Sequence, residues 1–149
     1  MSPLPTSQTH TIRIAAALLT RDDGRTLLVR KRGTLAFMQP GGKIEPGEEP
    51  VAALVRELYE ELGLVITASR PVYLGCFAAP AANEPGWTVE AEMFRLHLTN
   101  ADEAVIPTAE IEEIAWVDPL SQITLPLAPL TQAHVLPLSA SLASLAGIS

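Results

Sequence analysis

Along the 149-residue chain the spacing of apolar and polar positions changes several times, and each change marks an element. Apolar runs at Ile12–Leu19 and Thr26–Arg32 flank Arg21-Asp22-Asp23-Gly24-Arg25. A turn carrying Asp-Gly between two such runs predicts a β-hairpin. From Gly33 to Gly47 the pattern dissolves into Gly and Pro, which predicts a loop or a short strand interrupted by turns. The period then becomes helical: Val51, Val55, Leu58 and Leu62 fall at i, i+4, i+7 and i+11, one stripe of a helix. Pro50 suits its first turn, Glu48 and Glu49 suit its positive end, and Gly63 is placed as the left-handed residue that stops it. Val72–Ala78 and Thr88–Leu98 read as strands around a loop containing Pro, Asn and Gly, and Ile114–Val117 reads as a short strand. The Ala/Leu/Ser-rich tail from Leu127 reads as a second helix, opened by Pro126 and broken or kinked at Pro137. Strands, helix, strands and helix in this order give a mixed α/β layered domain. Residues 1–10 are expected to form a loose N-terminal arm, and residues 11–149 one domain large enough to bury a core.

Composition narrows the function. Lys and Arg total 10 against 17 Asp and Glu, a formal charge of −7. This excludes a protein that coats a nucleic-acid polymer, which needs a positive face. Small phosphorylated ligands remain open, because a bound divalent cation inverts the local sign. With 48% hydrophobic and 18% charged residues the chain is not disordered. Cys76 is the sole cysteine, so no internal disulfide forms, and no Cys/His spacing suggests zinc. No basic segment leads into an apolar stretch at the start, and Ile14–Leu19 is far too short to cross a bilayer. The tail carries no Lys or Arg and reads as a packed helix, not a membrane anchor. A cytoplasmic location without a membrane partner is expected.

On the first helix Glu57, Glu60 and Glu61 stand at i, i+3 and i+4, within about a third of the circumference. By this count they lie away from the Val51/Leu58 stripe. Like charges at such spacings cost a few tenths of a kcal/mol per pair. Arg56 offsets part of that through Glu60 at i+4. A solvated acidic face is the ordinary explanation of such a run. Glu45, Glu48 and Glu49 stand just upstream, however, so six of the 17 acids fall within residues 45–61. That density makes a poor stabilising device and a good oxygen-ligand set for Mg²⁺ or Mn²⁺.

Gly42, then five residues, Glu48, then seven, then Arg56-Glu57-Leu58-Tyr59-Glu60-Glu61-Leu62-Gly63-Leu64 resembles the Nudix box, with every fixed position of that 23-residue signature (42–64) filled. The resemblance implies an α/β/α sandwich with a mixed central sheet, and a MutT-like hydrolase of nucleoside-diphosphate-linked compounds. It implies that Glu57, Glu60 and Glu61 coordinate Mg²⁺ or Mn²⁺, that Glu57 also orients or deprotonates the attacking water, and that Glu48 supports the metal shell. Arg56 would hold the loop by pairing with a box carboxylate. Gly42, with Gly41 beside it, would admit close backbone approach, and Gly63 would end the helix. A further acid from outside the box, before a late strand, is implied as well; Glu110 is the candidate, with Glu112 and Glu113 as rivals.

Other positions carry weaker signals. Arg30 and Arg32 share one face of their strand and Lys31 takes the other. Arg32 and Lys43 are candidates for holding a phosphate. His10, His97 and His134 have no triad-like neighbours and read as surface or strand residues. Cys76, among apolar residues, reads as buried. Trp87, Phe37 and Trp116 are candidates for stacking on a base, with Trp116 assigned to the core. Within the family a proline about sixteen residues after the box goes with ADP-ribose hydrolysis, and Pro80 is sixteen after Leu64; where the dinucleoside polyphosphate subgroup has tyrosine, this chain has Ala82. The small nucleotide substrate is therefore an NTP or oxidised NTP, cleaved to NMP and pyrophosphate, or a nucleotide sugar such as ADP-ribose. The rival readings are a non-catalytic nucleotide-sensing module and a purely structural acidic domain.

Overall fold

The computed structural model describes residues 10–99 and 104–148, with side chains through residue 145. The expected N-terminal arm lies outside the described residues except for His10. Six strands form one sheet: β1 (Thr11–Arg21), β2 (Thr26–Lys31), β3 (Gly41–Lys43), β4 (Val72–Pro80), β5 (Thr88–Leu98) and β6 (Ile111–Val117). Helix α1 (Pro50–Leu62) follows β3, and α2 (Leu136–Ile148) closes the described chain. The order is β4-β5-β1-β2-β6, with β3 added on β1. β1 and β5 pair in parallel over their full lengths, from Thr11↔Thr88 to Arg21↔Leu98. The other pairings are antiparallel, so the sheet is mixed.

β1 runs through the middle and is buried without interruption from Ala15 to Thr20, because both of its faces are covered. One face packs on α1 through Ala15, Ala17 and Leu19 against Leu54, Leu58 and Leu62. The opposite face packs on the C-terminal helix through Ala16, Leu18 and Met93 against Leu130 and Val135. The arrangement is the α/β/α sandwich that the resemblance implied. Burying a leucine of this kind contributes about 2–3 kcal/mol relative to exposure, so these stripes fix where α1 sits.

The second edge of β1 is divided. Near the hairpin Thr20 pairs with Thr26 of β2, whereas Ile14–Ala16 pair with Lys43–Gly41 of β3. Between them the Ala17 N–H donates to Pro40 O at 2.9 Å, and Val29 and Met38 exchange backbone hydrogen bonds at 2.8 Å. The Gly/Pro segment is thereby wedged between β1 and β2, which places Gly41 and Gly42 at the sheet surface under α1. Helix α1 starts at Pro50 and ends at Gly63, whose φ of 67° lets its N–H reach Tyr59 O while the Leu64 N–H reaches Leu58 O.

Three expectations are corrected here. Pro137 does not break the last helix: residues Thr131–Val135 form a π-helical turn just before it, and the Leu136 N–H bonds to Thr131 O, five residues back. The wider turn accommodates a ring that would otherwise collide with a carbonyl one turn earlier. Cys76 is exposed, because β4 is an edge strand and α1, which packs on β1 and β3, does not cover it. Glu61 is not on an outer face. It stands three residues after Leu58 and seven after Leu54, so it shares their inward stripe and is buried.

Candidate active site

The acidic cluster is organised by one arginine. Arg56 makes a two-pronged hydrogen bond to Glu48, Nε to Oε2 and Nη2 to Oε1, each at 2.9 Å. Its Nη1 donates to Glu57 Oε2 at 2.8 Å, and its Nη2 also donates to Lys43 O at 3.1 Å. The Glu45 N–H donates to Glu48 Oε1 at 3.0 Å. Hydrogen bonding from Arg56 first, and from the Glu45 amide second, pulls the Glu48 carboxyl down to a pKa of about 2. The same pairing holds the Arg56 guanidinium firmly protonated. Glu48 therefore spends both oxygens on the loop-to-helix clasp. Arg56 holds the loop as expected, through Glu48 and Glu57 more than through Glu60, which it meets at 3.4 Å.

Glu57 is half-buried and packs on Gly42, where a Cβ would overlap its carboxylate. Glu60 points outward with 56% of its side chain exposed. Glu61 is 3% exposed; its Oε2 stands 3.6 Å from Lys31 Nζ, and its Oε1 is buried with no hydrogen-bond partner. Burial above all, and then the Glu57 charge, raises the Glu61 carboxyl to a pKa of about 7, against the opposing pull of Lys31 and of the Gly41 amide.

That shift has a consequence for stability. In the unfolded chain Glu61 titrates near 4.5, so the folded state binds its proton more tightly and the penalty appears as pH rises. Stability of the metal-free protein is expected to be fullest below about pH 4.5 and to fall by about 3 kcal/mol on approaching and passing pH 7 through this group alone. Urea midpoints in EDTA at pH 5 and pH 8, for wild type and Glu61→Gln, measure it. Parallel profiles for the two proteins would contradict the assignment.

Beside this cluster lies a cleft of about 150 Å³. Lys31, Lys43, Gly41 and Gly42 line it at the acidic end, and Ile14, Met38, Val89 and Leu130 form its apolar wall. Of the residues expected at the substrate, Lys43, Gly41 and Gly42 are present. Arg32 is not: its Nε donates to Ala109 O at 3.0 Å, and its side chain stands apart from the cleft. The cation that reaches both cleft and cluster is Lys31, because it takes the strand face opposite Arg30 and Arg32. The alternation along β2 contains that information once the helical face of the sheet is known. Glu110 is exposed in the turn before β6, with its carbonyl accepting from the Arg32 N–H at 2.9 Å. Its rivals Glu112 and Glu113 face Arg32 and Arg30 at 3.9 and 3.1 Å. The structure thus brings none of the three acids into contact with Glu57 or Glu61.

Oxygen-only donors with an orphaned buried carboxylate oxygen fit a hard divalent cation. Among the described residues no three His, Cys, Asp or Glu side chains are gathered closely enough to hold an ion. Ligation by Glu57, Glu60 and Glu61 together therefore requires Glu57 and Glu60 to turn from Arg56 toward Glu61. Of the expected stacking aromatics, Phe37 is buried, Trp87 stands beside His10, and Trp116 lies under the Arg21 guanidinium at 4.3 Å.

Comparison with known proteins identifies the class to which this sandwich and its acidic helix belong. The NUDIX domain model matches residues 10–138. The chain is 32% identical over 126 residues to the CTP pyrophosphohydrolase of Escherichia coli (strain K12), covering 79% of this chain and 84% of that protein. It is 40% identical over 58 residues to the 8-oxo-dGTP diphosphatase of Haemophilus influenzae, covering 36% of this chain and 43% of that one. The structure matches that of a MutT NUDIX hydrolase from Burkholderia pseudomallei with a TM-score of 0.65 at 22% identity, covering 88% of this chain and 96% of that one. The chain belongs to the NUDIX family and is a Nudix hydrolase of nucleoside-diphosphate-linked moieties. No described helix is long and apolar enough to cross a membrane.

Proposed function

We propose that this chain is a Mg²⁺-dependent pyrophosphohydrolase, with Mn²⁺ as a substitute, that cleaves a nucleoside triphosphate to the monophosphate and pyrophosphate. The observation that carries the reading is Glu61 Oε1, an enclosed carboxylate oxygen with no donor, beside a cleft with two lysines at that end. Nudix hydrolases generally use divalent metals. The similarity to a CTP pyrophosphohydrolase over most of both chains supports the triphosphate substrate, and the shorter match to an 8-oxo-dGTP diphosphatase supports oxidised nucleotides as a variant of it.

Glu57, Glu60 and Glu61 would hold the cation, with Glu48 fixing the loop from which the shell is built. When bound, the ion supplies neutralisation of the phosphate oxygens and Lewis acidity at the anhydride. Lys31 and Lys43 draw the phosphates to that end of the cleft. Glu57 accepts the proton of the attacking water once released from Arg56. The water oxygen bonds to phosphorus as the bridging P–O bond breaks, and pyrophosphate leaves. Base and sugar occupy the apolar wall. Cytoplasmic nucleotide pools are the proposed source of substrate, a setting that suits the free thiol of Cys76.

One observation favours a second reading: Pro80, sixteen residues after Leu64, lines the cleft, which supports a nucleotide sugar such as ADP-ribose. A phosphate-release screen over NTPs, oxidised NTPs, ADP-ribose and dinucleoside polyphosphates, with and without Mg²⁺, decides. Metal-dependent pyrophosphate release from an NTP is expected. AMP from ADP-ribose alone would establish the second reading, and silence from folded protein would favour a nucleotide-sensing module.

A further inference from the structure

The apolar wall of the cleft contains one buried polar side chain that the proposed chemistry does not use. Gln39 lies between Met38 and Pro40 in the wedge segment, is 6% exposed and lines the cleft. Behind it the fully buried Thr131 hydroxyl donates to Gln39 Oε1 at 2.7 Å. Thr131 sits in the π-helical turn, so the bond joins the wedge to the start of the C-terminal helical segment. An amide in an apolar wall is costly when its hydrogen-bonding capacity is unmet. Here the carbonyl end is met by Thr131, and the NH₂ end carries the donors that remain.

We propose that Gln39 is a specificity-determining residue: its amide NH₂, oriented by Thr131, donates to an acceptor on the edge of the nucleobase, a ring carbonyl or ring nitrogen. Thr131 is a positioning residue that acts through Gln39. The proposal rests on reading the cleft as the nucleotide site and adds which atoms of the substrate are read there. With its amide oxygen bonded to the Thr131 hydroxyl, Gln39 keeps its NH₂ donors for a ligand. Ile14, Met38, Val89 and Leu130 supply contact area to any base, whereas Gln39 distinguishes edges by hydrogen bonding.

The products separate this role from a structural one. Inhibition of the wild-type enzyme by the NMP of its preferred base engages Gln39, and inhibition by pyrophosphate does not. Gln39→Leu is expected to weaken NMP inhibition about tenfold or more, to raise KM by a similar factor, and to level the ratios of kcat/KM among the four NTPs, while pyrophosphate inhibition holds within about twofold. Gln39→Glu keeps the acceptor for Thr131 and loses the donors, so it is expected to weaken NMP inhibition at least as much. Gln39→Leu combined with Thr131→Val removes both polar partners, leaves no orphaned hydroxyl, and serves where the single variant folds poorly. Unchanged NMP inhibition and unchanged base ratios in Gln39→Leu and Gln39→Glu overturn the assignment. Equal weakening of NMP and pyrophosphate inhibition overturns it too, because that reports general disturbance of the cleft. Absence of NTP hydrolysis and of NMP binding in the wild type is a different failure, that of the nucleotide-site reading itself.

Discussion

Glu61→Gln is expected to lower kcat by at least about a hundredfold at saturating Mg²⁺, about 2.7 kcal/mol of barrier, while making the metal-free protein more stable at pH 8. Both effects have one cause. The Glu61 carboxylate is buried with a free oxygen and a neighbouring Glu57, an arrangement that destabilises the empty site when ionised. In the proposed mechanism a cation would relieve that cost, and the same negative charge would hold it there. Glutamine keeps the volume and removes the charge, so folding gains what catalysis loses, the exchange expected where a functional group is held in a strained environment. Glu57→Gln is expected to lower kcat comparably. Glu60→Gln, at an exposed position partly neutralised by Arg56, is expected to cost about tenfold. Steady-state rates with thermal denaturation of the same samples test this series. Full turnover in Glu61→Gln would remove that residue from the mechanism.

Gly41→Ala is expected to destabilise the protein by at least about 3 kcal/mol, a substantial part of an ordinary margin of about 5–15 kcal/mol. Its backbone has a φ of 144°, a conformation that a side chain strains, and a Cβ there would overlap Ala15 O and come within 2.8 Å of Ala16 Cα. Those atoms belong to the fully buried centre of β1, and nothing flexible is available to yield. Relief requires β3 to separate from β1, which withdraws the floor of the acidic cluster. Gly42→Ala offers the contrast. The three atoms nearest its Cβ all belong to the Glu57 carboxylate, the movable end of a side chain, so activity is expected to fall much further than stability. Urea denaturation of the two variants beside their rates measures the contrast; equal stability of Gly41→Ala and wild type would refute the wedge as described.

The strands and α1 were legible because their signals are local. β5 occupies Thr88–Leu98 as the alternation predicts, and α1 runs from Pro50 to the glycine that stops it. β3 was harder to see, since three residues of Gly-Gly-Lys have no apolar pattern and become a strand only by hydrogen bonding to β1. The π turn before Pro137 was equally hidden, because residues far from the proline in sequence pack around the helix and hold it together. In the site, spacing marks the glutamates, whereas the alternation along β2 does not say whether the face of Lys31 or that of Arg32 meets the helix.

What the amino-acid order settled alone is the family, the helix and its acidic residues, since a signature from Gly42 to Leu64 is contained in one continuous stretch and spacing encodes it. What only the folded chain decided is the state of each charge. Arg56 turns inward to Glu48 and Glu57, Glu61 is buried with an oxygen to spare, Arg32 is drawn to Ala109, and Gln39 meets Thr131 from the far end of the chain. Those outcomes depend on burial and on partners distant in sequence, and electrostatic strength follows desolvation and distance in space.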